Sequence, residues 1–167
     1  MRLNVNTHEI SRFRPEHGWK VLDTLQTIDV DFRDINPTSE GINEFQINKG
    51  NTYYLTIHCT GQVYELNKAT WTLKRLDQTF FRGANCKNSM FMRGDELYSF
   101  GGYGFYRTTN ILTKYDFIGR EWLSIGADGD VPESIFDGLF GYSVKKDRFY
   151  MLSTVTINDT EQKNAFN

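Results

Sequence analysis

Histidine, cysteine and proline are scarce in this chain, at three, two and three of 167 residues. His8, His17 and His58 form no H-x-H or H-E-x-x-H pair, which leaves no recognisable zinc site. Cys59 and Cys86 form no C-x-x-C and read as two unpaired, partly buried thiols, a disulfide or metal site being the alternatives. G-x-S-x-G is missing, and neither a Ser nor a Cys stands in a nucleophile context. Gly101-Gly-Tyr-Gly104 precedes a strand-like stretch instead of a helix, so it is not a phosphate loop. Long apolar runs are lacking too, which excludes membrane insertion, and Met1 to Asn6 lead into polar residues with no signal-peptide core. Charge of one sign is also lacking. Lys+Arg 19 against Asp+Glu 21 gives a net charge of −2, without the basic clusters that nucleic acid or a membrane surface would require. No cofactor and no metal is implied. Asp128-Gly-Asp130 with Glu133 and Asp137 lacks the oxygen-ligand series of a calcium loop and reads as a solvated turn.

What is present is aromatic and periodic. Hydrophobic residues make up 39% and aromatics 15%, enough for a packed core. Trp19, Trp71 and Trp122 recur at a spacing of about 50 residues. Tyr64 and Tyr115 each stand seven residues before a Trp, and Phe13 stands six before Trp19. Turn formers separate them, so each block predicts an antiparallel hairpin whose aromatics meet across the strands. A second block also recurs: Gly50-Asn-Thr-Tyr-Tyr54, Gly94-Asp-Glu-Leu-Tyr98 and Lys146-Asp-Arg-Phe-Tyr150 each place a turn before an alternating strand. Loop lengths between the blocks vary while strand spacing holds, as expected when strands form the scaffold.

The most specific element is Leu97-Tyr-Ser-Phe-Gly-Gly102, followed by Asn110-Ile-Leu-Thr-Lys-Tyr-Asp116 and then Glu121-Trp122. It resembles the kelch motif, in which a strand end, a Gly pair, a Tyr and a Trp mark one propeller blade. The likeness extends over about residues 8–167 but is good only around residues 89–125; near residues 44–73, Ile57-His-Cys-Thr60 replaces the Gly pair. The resemblance implies an all-β chain, a kelch-type β-propeller segment of about three blades, with a β-sandwich as the rival architecture. The expected units are a half-blade at 1–23, complete blades at 44–76 and 89–125, and a half-blade at 139–167.

So few blades do not close a propeller, which typically needs four to eight. Two arrangements satisfy the count: a piece of a longer chain, which is the simpler, or two chains that exchange complementary half-blades. Open strand edges favour self-association in both.

Long connecting segments gather on one face of such a scaffold: Thr24 to Asn43, Asp77 to Asn88, Tyr103 to Asn110 and Gly126 to Gly138. The richest, Tyr103-Gly-Phe-Tyr-Arg-Thr-Thr-Asn110, combines aromatic planes, a guanidinium and an amide. The candidate binding residues are Tyr103, Phe105, Tyr106, Arg107 and Asn110, joined by Arg82 of Phe80-Phe-Arg-Gly83. The alternative is a loop folded on itself, with Phe105 buried and Arg107 capping carbonyls. The expected function is a non-catalytic module that recognises a protein segment or glycan. Kelch-type propellers also resemble the galactose oxidase central domain and bacterial sialic-acid mutarotases, so a fragment of a carbohydrate-active enzyme is the alternative. The oxidase likeness would require paired His ligands and a Cys joined to Tyr, and only Cys86 falls near the right face.

Overall fold

The computed structural model describes residues 2–4, 7–28, 30, 42–47, 50–57, 59–78, 85–126, 134–135 and 138–152, with residues 2, 3 and 42–47 as backbone only. Every regular element in it is a strand. They are β1 (Arg2–Asn4), β2 (Glu9–Arg14), β3 (Gly18–Thr24), β4 (Gln26–Ile28), β5 (Ile42–Ile47), β6 (Thr52–Ile57), β7 (Val63–Asn67) and β8 (Thr72–Arg75). There follow β9 (Ser89–Arg93), β10 (Glu96–Phe100), β11 (Tyr103–Gly104), β12 (Arg107–Thr108), β13 (Leu112–Asp116), β14 (Glu121–Ile125), β15 (Leu139–Ser143) and β16 (Arg148–Leu152).

The strands form an open, propeller-like all-β segment. Two sheets are complete antiparallel meanders, β5-β6-β7-β8 and β9-β10-β13-β14, in chain order across the sheet. On one side stands the three-stranded sheet β1-β2-β3, and on the other the hairpin β15-β16. The N-terminal unit therefore has one strand more than expected: β1 pairs along Glu9–Ser11 of β2. A short strand also lies where the sequence suggests only loop, since β4 pairs in parallel with β8, Gln26 opposite Thr72.

Alternation along each strand makes a stack of these sheets. In the first meander Leu55, Tyr64, Leu66 and Leu73 turn toward the N-terminal sheet and close a core with its Ile10 and with Leu25, which follows β3. Their neighbours Tyr54 and Val63 point the opposite way and pack with Met90, Leu97 and Tyr115 of the second meander. The second meander repeats the arrangement. Phe91 and Tyr98 occupy its other face, stacked at 5.2 Å, and Phe91 lies against Phe149 and Tyr142 of the C-terminal hairpin at 4.2 and 5.8 Å. A period of two with both faces apolar is what a sheet buried between two others requires.

The hairpin register corrects one reading of the tryptophan repeat. Phe13 pairs with Trp19 and Tyr115 with Trp122 as expected, each next to the pair that closes its turn. Tyr64, however, pairs with Arg75, and the equivalent pair in the first meander is Leu66 with Leu73. Trp71 instead occupies the last position of the turn, with φ of 50°, where Arg120 stands in the second meander with φ of 59°. Both turns are held by a side-chain oxygen. Asn67 Oδ1 accepts from the Ala69 amide at 2.8 Å, and Asp116 Oδ1 from the Ile118 amide at 2.9 Å, the Asx-turn that Asn and Asp favour. Trp71 still packs against the first core, because a slip of two residues preserves the face.

Polar bonds also bridge the two meanders. Trp122 donates its indole N–H to the Gly61 carbonyl at 3.0 Å. Arg120 Nε donates to the Leu76 carbonyl at 2.5 Å, and the Gln78 amide donates to the Arg120 carbonyl. Asp77, buried just after β8, accepts from the Val63 amide at 2.9 Å and pairs with Arg75.

Candidate functional site

The Gly pair is the hinge from which the site is built. Gly101 and Gly102 have φ of +72° and +101°, and a Cβ on Gly101 would lie 2.6 Å from the Ile135 carbonyl oxygen. Gly102 donates to that same carbonyl at 2.8 Å. Both positions therefore need glycine, for backbone conformation and for close approach.

Beyond the hinge, residues 103–108 fold into a small hairpin, β11 pairing with β12. This replaces the self-folded loop as the description of Tyr103 to Asn110. Its tip is Phe105-Tyr106, with φ of 51° and 64°, the two positive values of a type I′ turn. Such a turn is ordinarily made with Asn and Gly, and holding two aromatics there costs roughly 1 kcal/mol or more each. The strained tip faces outward: Phe105 is 75% and Tyr106 98% exposed. Phe105 is accordingly not buried, as the self-folded alternative would have had it.

Cys86 pairs with Tyr103 as an isolated bridge, each amide donating to the other's carbonyl at 2.8 Å. It is also disulfide-bonded to Cys59, so the expectation of two unpaired thiols is overturned. Cys59 lies in the β6–β7 turn with φ of 67°, and its Cα is 4.2 Å from that of Cys86. Spacing along the chain conceals this proximity, which comes from packing one sheet on the next. The bond joins the rim of the first meander to the hairpin of the second.

Between the two meanders, beneath this hairpin, is a cleft of about 340 Å³. Thr56, Ile57, Gly61 and Gln62 form one wall; Met90, Ser99, Thr113, Trp122 and Ser124 form the other. Asn85 and Asn88 line it on the disulfide side, and Phe105, Arg107 and Thr109 from the hairpin side. Asn88 Nδ2 donates to Ser99 Oγ at 2.5 Å, and Gln62 Oε1 accepts from the Tyr64 hydroxyl at 2.9 Å. The Thr109 hydroxyl is buried and has no hydrogen-bond partner among the described residues. Amides and hydroxyls thus dominate the polar lining, and Arg107 is the only ionised side chain among the described lining residues.

Of the candidate residues, Phe105 and Arg107 line the cleft, whereas Tyr103, Tyr106 and Asn110 belong to the exposed outer surface of the same hairpin segment. Arg82 lies outside the described residues, as do His58 and the acidic turn at Asp128-Gly-Asp130. The wall residues Gln62, Asn88 and Thr109 escape a sequence search because each is an ordinary strand-end polar residue until two sheets bring them together. The sulfur of Cys86, which the oxidase likeness would place on a tyrosine, is bonded to Cys59.

Near the cleft, the Tyr115 phenol is buried and has no hydrogen-bond partner among the described residues. Desolvation, and then the charge of Asp77, pushes its pKa well above the ordinary tyrosine value. It stays neutral as part of the inter-sheet core. Compared with known proteins, the chain matches no family model and no curated sequence.

Proposed function

We propose that the chain is a non-catalytic recognition module of kelch type, which takes a glycan terminus into the cleft between its two meanders. The observation that carries this reading is the lining. A 340 Å³ cleft whose largely apolar wall of Ile57, Met90, Ile111 and Trp122 is set with amides and hydroxyls, with an aromatic ring and one guanidinium at its mouth, suits a small ligand with both apolar faces and hydroxyls. Sugar hydroxyls both donate and accept, as do the Thr and Ser hydroxyls and, through their two ends, the Asn and Gln amides. The Thr109 hydroxyl, which has no partner among the described residues, is buried at the edge of this cleft. Phe105 offers a face for the apolar side of a sugar ring.

A second reading, recognition of a protein segment, is favoured by Tyr106, which is 98% exposed and lies outside the cleft. An extended peptide laid over the hairpin would bury it.

Glycan-array and peptide-library binding with the intact chain tests both. Replacing Phe105 or Arg107 with Ala is expected to weaken glycan binding about tenfold or more with no change in the unfolding midpoint. Thr109→Val, which fills the same volume without donor or acceptor, is expected to do the same. Binding that survives all three substitutions but disappears with Tyr106→Ala would move the function to the outer hairpin surface and to a peptide ligand. Retention in all four would refute the site.

A further inference from the structure

The two meanders repeat one assignment of faces. Each meander turns the aromatic or leucine pair beside its third turn toward the sheet before it: Leu66 and Leu73 toward the N-terminal sheet, Tyr115 and Trp122 toward the first meander. It turns the tyrosine of its second strand toward the sheet after it. Tyr54 lies in the core shared with the second meander and 5.2 Å from Phe117, and Tyr98 lies on the Phe91 face, which the C-terminal hairpin covers.

The two outer sheets carry the same kinds of residue with nothing packed on them among the described residues. In the N-terminal sheet the equivalent pair is Phe13 and Trp19, with ring centroids 5.6 Å apart. Ile10 faces inward, so this pair is on the opposite face, and Phe13, Trp19 and Val21 are 52%, 53% and 51% exposed. In the C-terminal hairpin Tyr142 and Phe149 face inward onto Phe91. Tyr150, the counterpart of Tyr54 and Tyr98, lies on the outer face with Leu139 and Leu152, at 38%, 67% and 36% exposure.

We infer that these two faces are the halves of one further interface, and that a second copy of this chain supplies the missing half. The Phe13–Trp19 face of one copy docks on the Tyr150 face of the next. Between the two meanders, the face with that hairpin pair, Tyr115 and Trp122, is covered by the face with that tyrosine, Tyr54, and each copy carries one of each on its outer sheets. The contact joins different patches, so it propagates head to tail into a ring or an open row. It goes through sheet faces and not through exchange of half-blades, because β1 already occupies the β2 edge along Glu9–Ser11 that the exchange would use.

Sedimentation of the intact chain over a wide concentration range tests the inference, with Trp19→Lys and Tyr150→Lys as probes. Both positions are solvent-exposed, so unfolding midpoints should stay close to wild type. Wild type is expected to gain mass with concentration, and each variant alone to bind itself about 30-fold or more weakly, as loss of an aromatic anchor does. An equimolar mixture of the two is expected to form dimers and stop there, since one intact pair of faces remains. Val21→Asp with Leu139→Lys repeats the test should the first pair lower stability. A wild type that stays monomeric, as it would with a further segment of its own polypeptide or a different protein on these faces, overturns the inference. So does a mixture that stays monomeric, or a Trp19→Lys variant that associates like wild type.

Discussion

Removing the Cys59–Cys86 bond should weaken the chain by an amount that its position sets. The two residues are separated by 27 in sequence, and closing a loop of that size lowers unfolded-chain entropy by the equivalent of about 3.5 kcal/mol at room temperature. With a urea dependence of about 2 kcal/mol per molar, the double variant Cys59→Ser, Cys86→Ser should unfold roughly 1.5–2 M earlier than the oxidised chain. Reduction of the wild type should reproduce that shift, which separates the bond from any effect of serine. The damage should also be local before it is global. Cys86 and Tyr103 exchange two amide hydrogen bonds at 2.8 Å, and without the disulfide their amides should exchange with solvent faster while those of Leu97 and Tyr115 hold. Two findings would refute the reasoning: a double variant within about 1 kcal/mol of wild type, or unreduced protein that reacts with two equivalents of a thiol reagent.

Gly101→Ala should be costlier than Gly94→Ala. Both have positive φ, but a Cβ meets the Ile135 carbonyl at 2.6 Å in the first and nothing within 4 Å in the second, so urea midpoints should rank them with about 1 kcal/mol lost at Gly94 and more at Gly101. Tyr115→Phe deletes a buried hydroxyl that has no partner among the described residues, and thermal melting should show it neutral or more stable than wild type. The same phenol gives a pH dependence: its folded pKa is raised, so its contribution is present below about pH 10 and is lost as pH rises from there toward the folded value. The alkaline fall in stability should therefore be shallower in Tyr115→Phe.

The parts of the fold legible in the sequence are those where local chemistry and tertiary packing agree. Tyr54, Tyr98 and Tyr150 follow turns and begin alternating runs, and all three occupy second-strand positions. The Gly101–Gly102 pair also announces itself, because no other residue suits its φ values and its contact with Ile135. Trp71 misleads for a physical reason. A two-residue slip keeps its ring on the core face, so the spacing of the tryptophans survives while the hairpin register does not. The better signal was the capping residue, Asn67 and Asp116, which fixes the turn. Cys59 with Cys86, and Gln62 with Asn88 and Thr109, were not legible because their proximity is made by stacking one sheet on another. The hairpin at residues 103–108 hides as well, since Phe and Tyr at its tip oppose the usual turn preference and propensity argues for a loop.

Strand β4 has a consequence for the order of events during synthesis. Gln26, Thr27 and Ile28 take their places only beside Thr72, Leu73 and Lys74, which a ribosome adds later, at about 5–20 residues per second. The second meander, by contrast, pairs only strands that follow one another closely and can assemble as soon as it emerges. The segment ahead of the first meander thus waits with Leu25 and Ile10 uncovered until that meander is finished, a delay that the second meander does not share.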